Sequence, residues 1–403
     1  MTRRLYYDDS YLLKFQARVV RRFETAGIWV AILDQTAFYP ASGGQPHDLG
    51  RIGTARVAEV LEESSGDIVH RLDSPLPAVE QVEAEIDWHR RFDHMQQHSG
   101  QHILSQAFLK TARFNTVGFH MGEKYVTIDL DAEEVSLDRV REAEELANSI
   151  VFENRPIRVR HVSPDKVPPL GLRKESQRDG PLRIVEIEGF DVSACGGTHV
   201  RHCGEIGGIF VRGLERVNRQ VRVEFVCGRR ALDAHRSDLA LLESAARKFS
   251  VGLLDVPERV EKLLEEDRQL RKVLQERTRG LARFLARELF DETAPYSGTR
   301  IVKRIFEGEE FDFIKLLAQS LVAYGPSVAV LGNRALQAQL VFAASQSLGL
   351  DLRPVMAGCC RLLEGQGGGS PSFVQGGGKD RSQLAAALDQ AESAIRARIQ
   401  QSS

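Results

Sequence analysis

His98-x-x-x-His102 and Cys195-x-x-x-His199 constrain this chain more than any other feature. Histidines at i and i+4 on a helix share one face, so both imidazoles can converge on one ion. The second pair lies in "SACGGTHV" (Ser193 to Val200), with the same separation on a Gly-rich turn. Each half alone is weak, because H-x-x-x-H is commonly a pair of surface or core histidines, and C-x-x-x-H among glycines is commonly a turn. Together they make a His3Cys set suited to Zn(II), one ion per chain. The structural alternative is a closed zinc staple without catalysis. A zincin protease needs Glu directly after the first His; Ser99 stands there, which argues against that class.

The segments around these motifs predict an α+β protein. Residues 11–85 read as β structure. "IWVAILDQTAFYP" is an apolar, β-branched and aromatic run ending at Pro40, "ASGGQPHDLGRIG" carries turn chemistry, and "ARVAEVLEESSGDIVHRL" forms a hairpin around Ser64-Ser65-Gly66. A β-barrel-like domain over 1–88 follows. From about Arg90 "HMQQHSGQHILSQAFLKTA" is a helix with Ile103, Leu104, Ala107 and Phe108 on one side. "KYVTIDLD" alternates as a strand, and "SLDRVREAEELANSIVFE" is an amphipathic helix N-capped by Ser136. "RPIRVRHV", "LRIVEIEG" and "RVEFVCG" add strands, giving a zinc-containing α+β domain over 89–240.

A helical coil over 241–295 comes next. A 4-3 spacing picks out Val256, Val260, Leu263, Asp267, Leu270, Leu274, Arg277, Leu281, Phe284 and Glu288, an imperfect coiled-coil seam. The helix either packs on its own domain or pairs with a second chain as a homodimer. The last part, 296–403, alternates helix and strand: "FDFIKLLAQSLVAYG", "SVAVLG", "LQAQLVFAASQSLGLD", and a closing helix "DRSQLAAALDQAESAIRARI". This order predicts a small C-terminal α/β domain. Seven glycines flank "SPSFVQ" there; they fail the phosphate-loop pattern, and Phe373 and Val374 predict an ordered loop.

Charged residues are 27% of the chain, apolar residues 42%, and the net charge is -2, so a nucleic-acid surface must be a local patch. Val211 to Arg236 supplies one: seven arginines against Glu215, Glu224 and Asp233, a surplus of four just after the Cys195 motif. Five cysteines without regular spacing argue for a reducing compartment. With neither a signal-like apolar core nor an unbroken membrane-length run, the expectation is a cytoplasmic protein, with no membrane or DNA partner.

Four stretches carry a family resemblance: "AFYPASGGQPHDLG" (37–50), "QQHSGQHILSQAF" (96–108), "GFHMGEKYVTIDLD" (118–131) and "FDVSACGGTHVRHCGEIGGI" (190–209). In this order they resemble the alanyl-tRNA editing proteins, the free-standing AlaX hydrolases related to the editing half of alanyl-tRNA synthetase. "GGGSPSFVQGGGKD" (367–380) is similar to the synthetase's C-terminal domain, so the long form of the editor is the match. No stretch looks like the ATP-binding core, and no aminoacylation is expected. The resemblance implies zinc-dependent hydrolysis of mischarged tRNA(Ala), chiefly Ser-tRNA(Ala), with Gly-tRNA(Ala) a further candidate. The different-class alternative is a non-catalytic, zinc-stapled tRNA-binding module.

His98, His102, Cys195 and His199 fall on the family's metal ligands. His120 corresponds to a pocket position, and Gln101 is a weaker pocket candidate. Gly196 and Gly197 either offer backbone amides to the substrate or serve turn geometry; Thr198 is a substrate-side hydroxyl or a turn residue. Arg212, Arg216, Arg219 and Arg222 are the expected tRNA contacts, with Arg173 and Lys174 weaker ones. Zinc either activates water or positions the ester, and the residues leave that choice open.

Overall fold

The structure, a computed structural model, describes residues 1–163, 166, 171–173 and 181–402. Its contacts divide the chain into two compact units, Met1–Ala245 and Ala246–Ser403.

The first unit opens with β1 (Arg3–Arg4), β2 (Lys14–Thr25), β3 (Ile28–Leu33), β4 (Gln35–Thr36), β5 (Gly50–Ile52), β6 (Ala55–Glu62), β7 (Ile68–Leu72) and β8 (Gln81–Ile86). Six of them close into a barrel in the order β2-β3-β7-β6-β5-β8. Alternation drives the closure: β8 buries Val82, Ala84 and Ile86 and exposes the residues between them. The expected hairpin is β6–β7, turning through Gly66 at φ +79°.

Helix α1 (Trp88–Ala112) leaves the barrel, capped by the Asp87 side chain. Ile103, Leu104, Ala107 and Phe108 are fully buried, as expected, but so are most residues on the helix's other sides. Next come β9 (Thr116–Met121), β10 (Val126–Leu130), α2 (Leu137–Phe152), β11 (Ile157–Val162), β12 (Leu182–Ile187), β13 (Asp191–Ala194), β14 (Ile209–Val217) and β15 (Gln220–Cys227). Ser136 caps α2 by accepting the Arg139 N–H. These strands form an antiparallel sheet β14-β15-β10-β9 and a second sheet β11-β12-β13. One core joins α1, α2 and the first sheet, with Phe108, Ile128, Ala143 and Phe225 among its fully buried members. α3 (Gly228–Phe249) follows.

In the second unit, α4 (Val256–Glu292) leads into β16 (Pro295–Tyr296), β17 (Thr299–Phe306), α5 (Phe311–Val322), β18 (Ser327–Arg334), β19 (Ala338–Ala344), α6 (Arg353–Leu362), β20 (Gly365–Ser370), β21 (Phe373–Gly378) and α7 (Leu384–Ser402). The sheet runs β16-β17-β18-β19-β21-β20, with β17 and β18 parallel and its other pairs antiparallel. "LQAQLVFAA" is thus a strand. The glycine-rich segment, expected as an ordered loop, is instead the β20–β21 hairpin. Its glycines serve close packing: a Cβ on Gly376 would lie 2.6 Å from the Cys360 sulfur of α6. Among the described residues no helix is long and apolar enough to cross a membrane.

Candidate metal centre

The barrel meets α1 at a buried ion pair. Arg91 Nε reaches the Asp48 carboxylate at 3.1 and 3.2 Å, and Nη1 and Nη2 donate to the carbonyls of Ser10 and Ala37. Both side chains are fully buried. This clamp holds the loop from Ser42 to Asp48 beside α1, two turns ahead of His98.

His98 and His102 project from one face of α1. Cys195 and His199 come from the turn after β13, where Arg183 Nη1 grips the carbonyls of Cys195 and Gly197 at 2.8 Å each. One donor atom from each of the four residues falls within 4.8 Å of the others. The Cys195 sulfur is 3.4 Å from His98 Nε2 and 3.3 Å from His199 Nε2. In a tetrahedral site with bonds of about 2.3 Å to sulfur and 2.0 Å to nitrogen, such donors stand about 3.5 Å apart. The four residues therefore fit a metal ion.

The opposite edge of each imidazole is held. His98 Nδ1 meets Gln45 Oε1 at 2.8 Å, His102 Nδ1 meets Asp191 Oδ2 at 3.1 Å, and His199 Nδ1 meets Ser99 Oγ at 3.1 Å. Engaging each Nδ1 leaves the Nε2 atoms free to converge, the outer arrangement that metal-binding histidines require. Electrostatics agree. Burial alone would push the Cys195 thiol up, but the neighbouring imidazoles bring it well below its usual range. Burial lowers His199 to about 3 and so keeps it neutral. For His102 burial opposes protonation, yet the hydrogen bond that its Nδ1 donates to the Asp191 carboxylate helps raise its basicity overall.

Two cavities reach this cluster. The first, of 590 Å³, is walled by His98, Gln101, His102, Ser105, Phe119 and Arg173 together with Cys195. The second, of 490 Å³, runs past Arg4, Tyr7, Tyr39, His161 and Arg183 to His98 and Cys195. Arg183 is 8% exposed, and its buried Nη2 has no hydrogen-bond partner among the described residues.

Several expected residues have specific placements. Gln101 lines the first cavity and donates to Ser105 Oγ at 2.8 Å. Gly197 has its Cβ position 2.2 Å from His98 Cε1, so contact with the ligand ring demands glycine there; Gly196 has more room, with Tyr7 Oη 3.7 Å away. Thr198 is fully buried and braced twice by Gln45, through its N–H at 3.1 Å and its Oγ1 at 2.9 Å. His120 lies on the exposed side of β9, outside the linings of both cavities, while its neighbour Phe119 stacks on His98 at 5.1 Å.

The arginines also separate. Arg173 is in the wall of the first cavity, its Nε 3.0 Å from Asp191 Oδ1. Arg212 is paired with Asp238 and Arg222 with Asp129. Arg216 and Arg219 flank the exposed β14–β15 turn, where no ion pair engages them among the described residues. Lys174 lies outside the described residues. Sequence reasoning missed Gln45, Ser99 and Asp191, whose neighbours in the chain do not advertise them. All three do stand inside resemblance-bearing stretches, Gln45 in 37–50, Ser99 in 96–108 and Asp191 in 190–209.

Comparison with known proteins places this arrangement. A family profile described as "Threonyl and Alanyl tRNA synthetase second additional domain" matches residues 182–223, which hold Cys195 and His199. The alanyl-tRNA editing protein AlaX-L of Pyrococcus horikoshii is 28% identical over 93% of this chain and 94% of its own. The chain is similar to this alanyl-tRNA editing protein along nearly its whole length. The alanine–tRNA ligase of Pyrococcus abyssi is 29% identical over 96% of this chain but 43% of its own length. The chain thus spans less than half of the ligases it matches. The C-Ala domain of Aquifex aeolicus alanyl-tRNA synthetase aligns over 27% of this chain and 97% of its own, at 20% identity and a TM-score of 0.24.

Proposed function

We propose that this protein is an alanyl-tRNA editing protein of the long AlaX form, a trans-editing hydrolase that deacylates mischarged tRNA(Ala) in the cytoplasm, chiefly Ser-tRNA(Ala), with Gly-tRNA(Ala) a further substrate. The editing chemistry is assigned to residues 89–240, with 1–88, 241–295 and 296–403 as the barrel, the helical coil and the C-terminal domain. The resident ion is zinc, held by His98, His102, Cys195 and His199. The observation that carries this reading is the His3Cys cluster with its outer nitrogens engaged, standing where two cavities meet. A purely structural staple needs no such access.

When bound, zinc supplies Lewis acidity, either acidifying a water or polarising the ester carbonyl. The chain's own residues do the rest. Gln45, Asp191 and Ser99 orient the three imidazoles through Nδ1. Arg4, Tyr7 and Arg183 line the second cavity, where the acceptor end would lie. Gln101 and Arg173 line the first cavity, where the amino acid would lie. Arg216 and Arg219 are the preferred phosphate contacts, because Arg212 and Arg222 are already neutralised. The protein acts as a homodimer through the helical region.

The test is release of serine from seryl-tRNA(Ala) by zinc-loaded protein, with alanyl-tRNA(Ala) as control. His102→Ala should lower metal content and activity together. Release of neither serine nor glycine above background would leave only the non-catalytic tRNA-binding module, and activity that survives without metal would remove zinc from the chemistry.

A further inference from the structure

A third cavity, of 480 Å³, is lined by His94, one helical turn before His98, and shares no lining residue with the two at the metal centre. α1 contributes Arg90, Asp93 and His94 to it, the turn between β9 and β10 contributes Glu123, and α3 contributes Arg230. Most of these groups are already committed. Arg230 holds both oxygens of Asp93, with Nε at 2.9 and 3.1 Å and Nη2 at 2.7 Å, and gives Nη1 to the Gly122 carbonyl at 2.7 Å. Arg90 commits only Nε, to the His47 carbonyl at 2.9 Å, and its Nη1 and Nη2 have no partner among the described residues.

His94 is 2% exposed, yet its Nδ1 is sealed from solvent with no hydrogen-bond partner among the described residues. Buried polar atoms are rarely left so, and each exception needs a reason. Burial holds the pKa of this imidazole down to about 3, helped by the positive charges of Arg90, Arg230 and Arg91, so the ring is neutral. A proton on the sealed Nδ1 would be stranded, so the neutral ring keeps it on Nε2. The uncommitted groups are therefore donors: the outer guanidinium nitrogens of Arg90 and the imidazole N–H of His94, one turn apart on the same face of α1. Glu123 is exposed, where salt and solvent screen its charge. Donors in a positive field fit a ligand that carries only acceptors. A phosphate group meets this better than a planar carboxylate, because its oxygens point in several directions and can meet the guanidinium fork and the imidazole together.

We propose that this cavity is a binding site for a phosphate group, held by Nη1 and Nη2 of Arg90 and by Nε2 of His94. The site is separate from the metal centre and independent of the deacylase reading.

Equilibrium dialysis of labelled inorganic phosphate against the full, zinc-loaded chain at constant ionic strength tests it. Arg90→Gln and His94→Leu should each weaken binding about tenfold or more, because each removes a hydrogen bond to a charged ligand. Circular dichroism checks that both variants fold. His94→Leu also removes an unpartnered buried polar atom, so without phosphate it should melt no lower than the parent, and it should lose the rise in melting temperature that phosphate brings. A histidine kept only for packing would do the reverse, lowering the melting temperature and leaving phosphate binding alone, and that result overturns the site. Competition separates two sources of the group: displacement by AMP but not by equimolar uncharged tRNA(Ala) marks a free monoester, and displacement by the tRNA marks a backbone phosphate. The proposal also fails if phosphate does not bind up to about 20 mM, if acetate competes as well as phosphate, or if binding ignores both substitutions, as an anion on the metal ion would.

Discussion

Gln45 belongs to the barrel's loop, yet it touches both halves of the candidate metal centre. Its Oε1 accepts from His98 Nδ1 at 2.8 Å and from the Thr198 N–H at 3.1 Å, and its Nε2 donates to Thr198 Oγ1 at 2.9 Å. Gln45→Ala removes all three bonds in a place where Gln45 is 2% exposed and Thr198 fully buried. The Thr198 amide and the His98 ring N–H then lack partners, each at a cost of about 1–3 kcal/mol before relaxation. If a water enters the space left behind, the net loss of folding stability is about 2 kcal/mol. Loss of an outer partner to a ligating histidine costs roughly 10- to 100-fold in metal affinity, equivalent to about 1.4–2.8 kcal/mol. We therefore expect Gln45→Ala to bind zinc about 10- to 100-fold more weakly in competition with a chelator of known affinity. Its melting temperature should respond less to added zinc than that of the parent. Thr198→Val, which loses only the hydroxyl contact, should keep zinc affinity nearly unchanged. If Gln45→Ala folded normally and held zinc within about twofold of the parent, the idea that the barrel loop orients His98 would be wrong.

Two further outcomes concern the scaffold. Asp48→Ala leaves the guanidinium of Arg91 buried without its counter-ion and should cost about 3–5 kcal/mol in urea denaturation; replacing the pair together, as Asp48→Leu with Arg91→Met, should cost clearly less, and equal costs would deny the pairing. His70 is fully buried in the barrel between Ala31 O and Thr36 Oγ1, and burial holds its pKa down to about 4. The unfolded chain binds a proton there at about pH 6.5, so between those values it carries more protons than the folded one. Stability from this group is complete above pH 6.5 and declines by about 3 kcal/mol as the pH falls to 4. His70→Asn should flatten that part of the stability–pH curve, and an unchanged slope would count against the assignment.

Much of the chain was legible because its signals are local. The alternation in "KYVTIDLD" and the helical spacing of Ile103, Leu104, Ala107 and Phe108 follow from backbone periodicity alone, and both appear in the structure. Ser136 could be read as a cap because the hydrogen bond it makes is three residues away. The glycine-rich tail was harder. Composition marked it as a loop, but its glycines form strands because α6 presses Cys360 against them, and that neighbour is invisible to a local pattern. His120 shows the same limit from the other side: strand alternation turns it outward and gives Phe119 the place beside His98.

The sequence by itself determined the four donors, since a His pair at i and i+4 and a Cys/His pair on a glycine turn have a fixed chemistry wherever they meet. It also set the heptad seam of α4 and the surplus of arginines after Cys195. Only the tertiary structure decided that Gln45, Ser99 and Asp191 would orient the imidazoles, that Gly197 must be glycine because His98 lies against it, and which arginines are paired with carboxylates. The physical reason is range. Periodicity and ligand chemistry act within a turn or two of the chain, whereas hydrogen-bond partners and close contacts are chosen by packing between segments that the sequence keeps far apart.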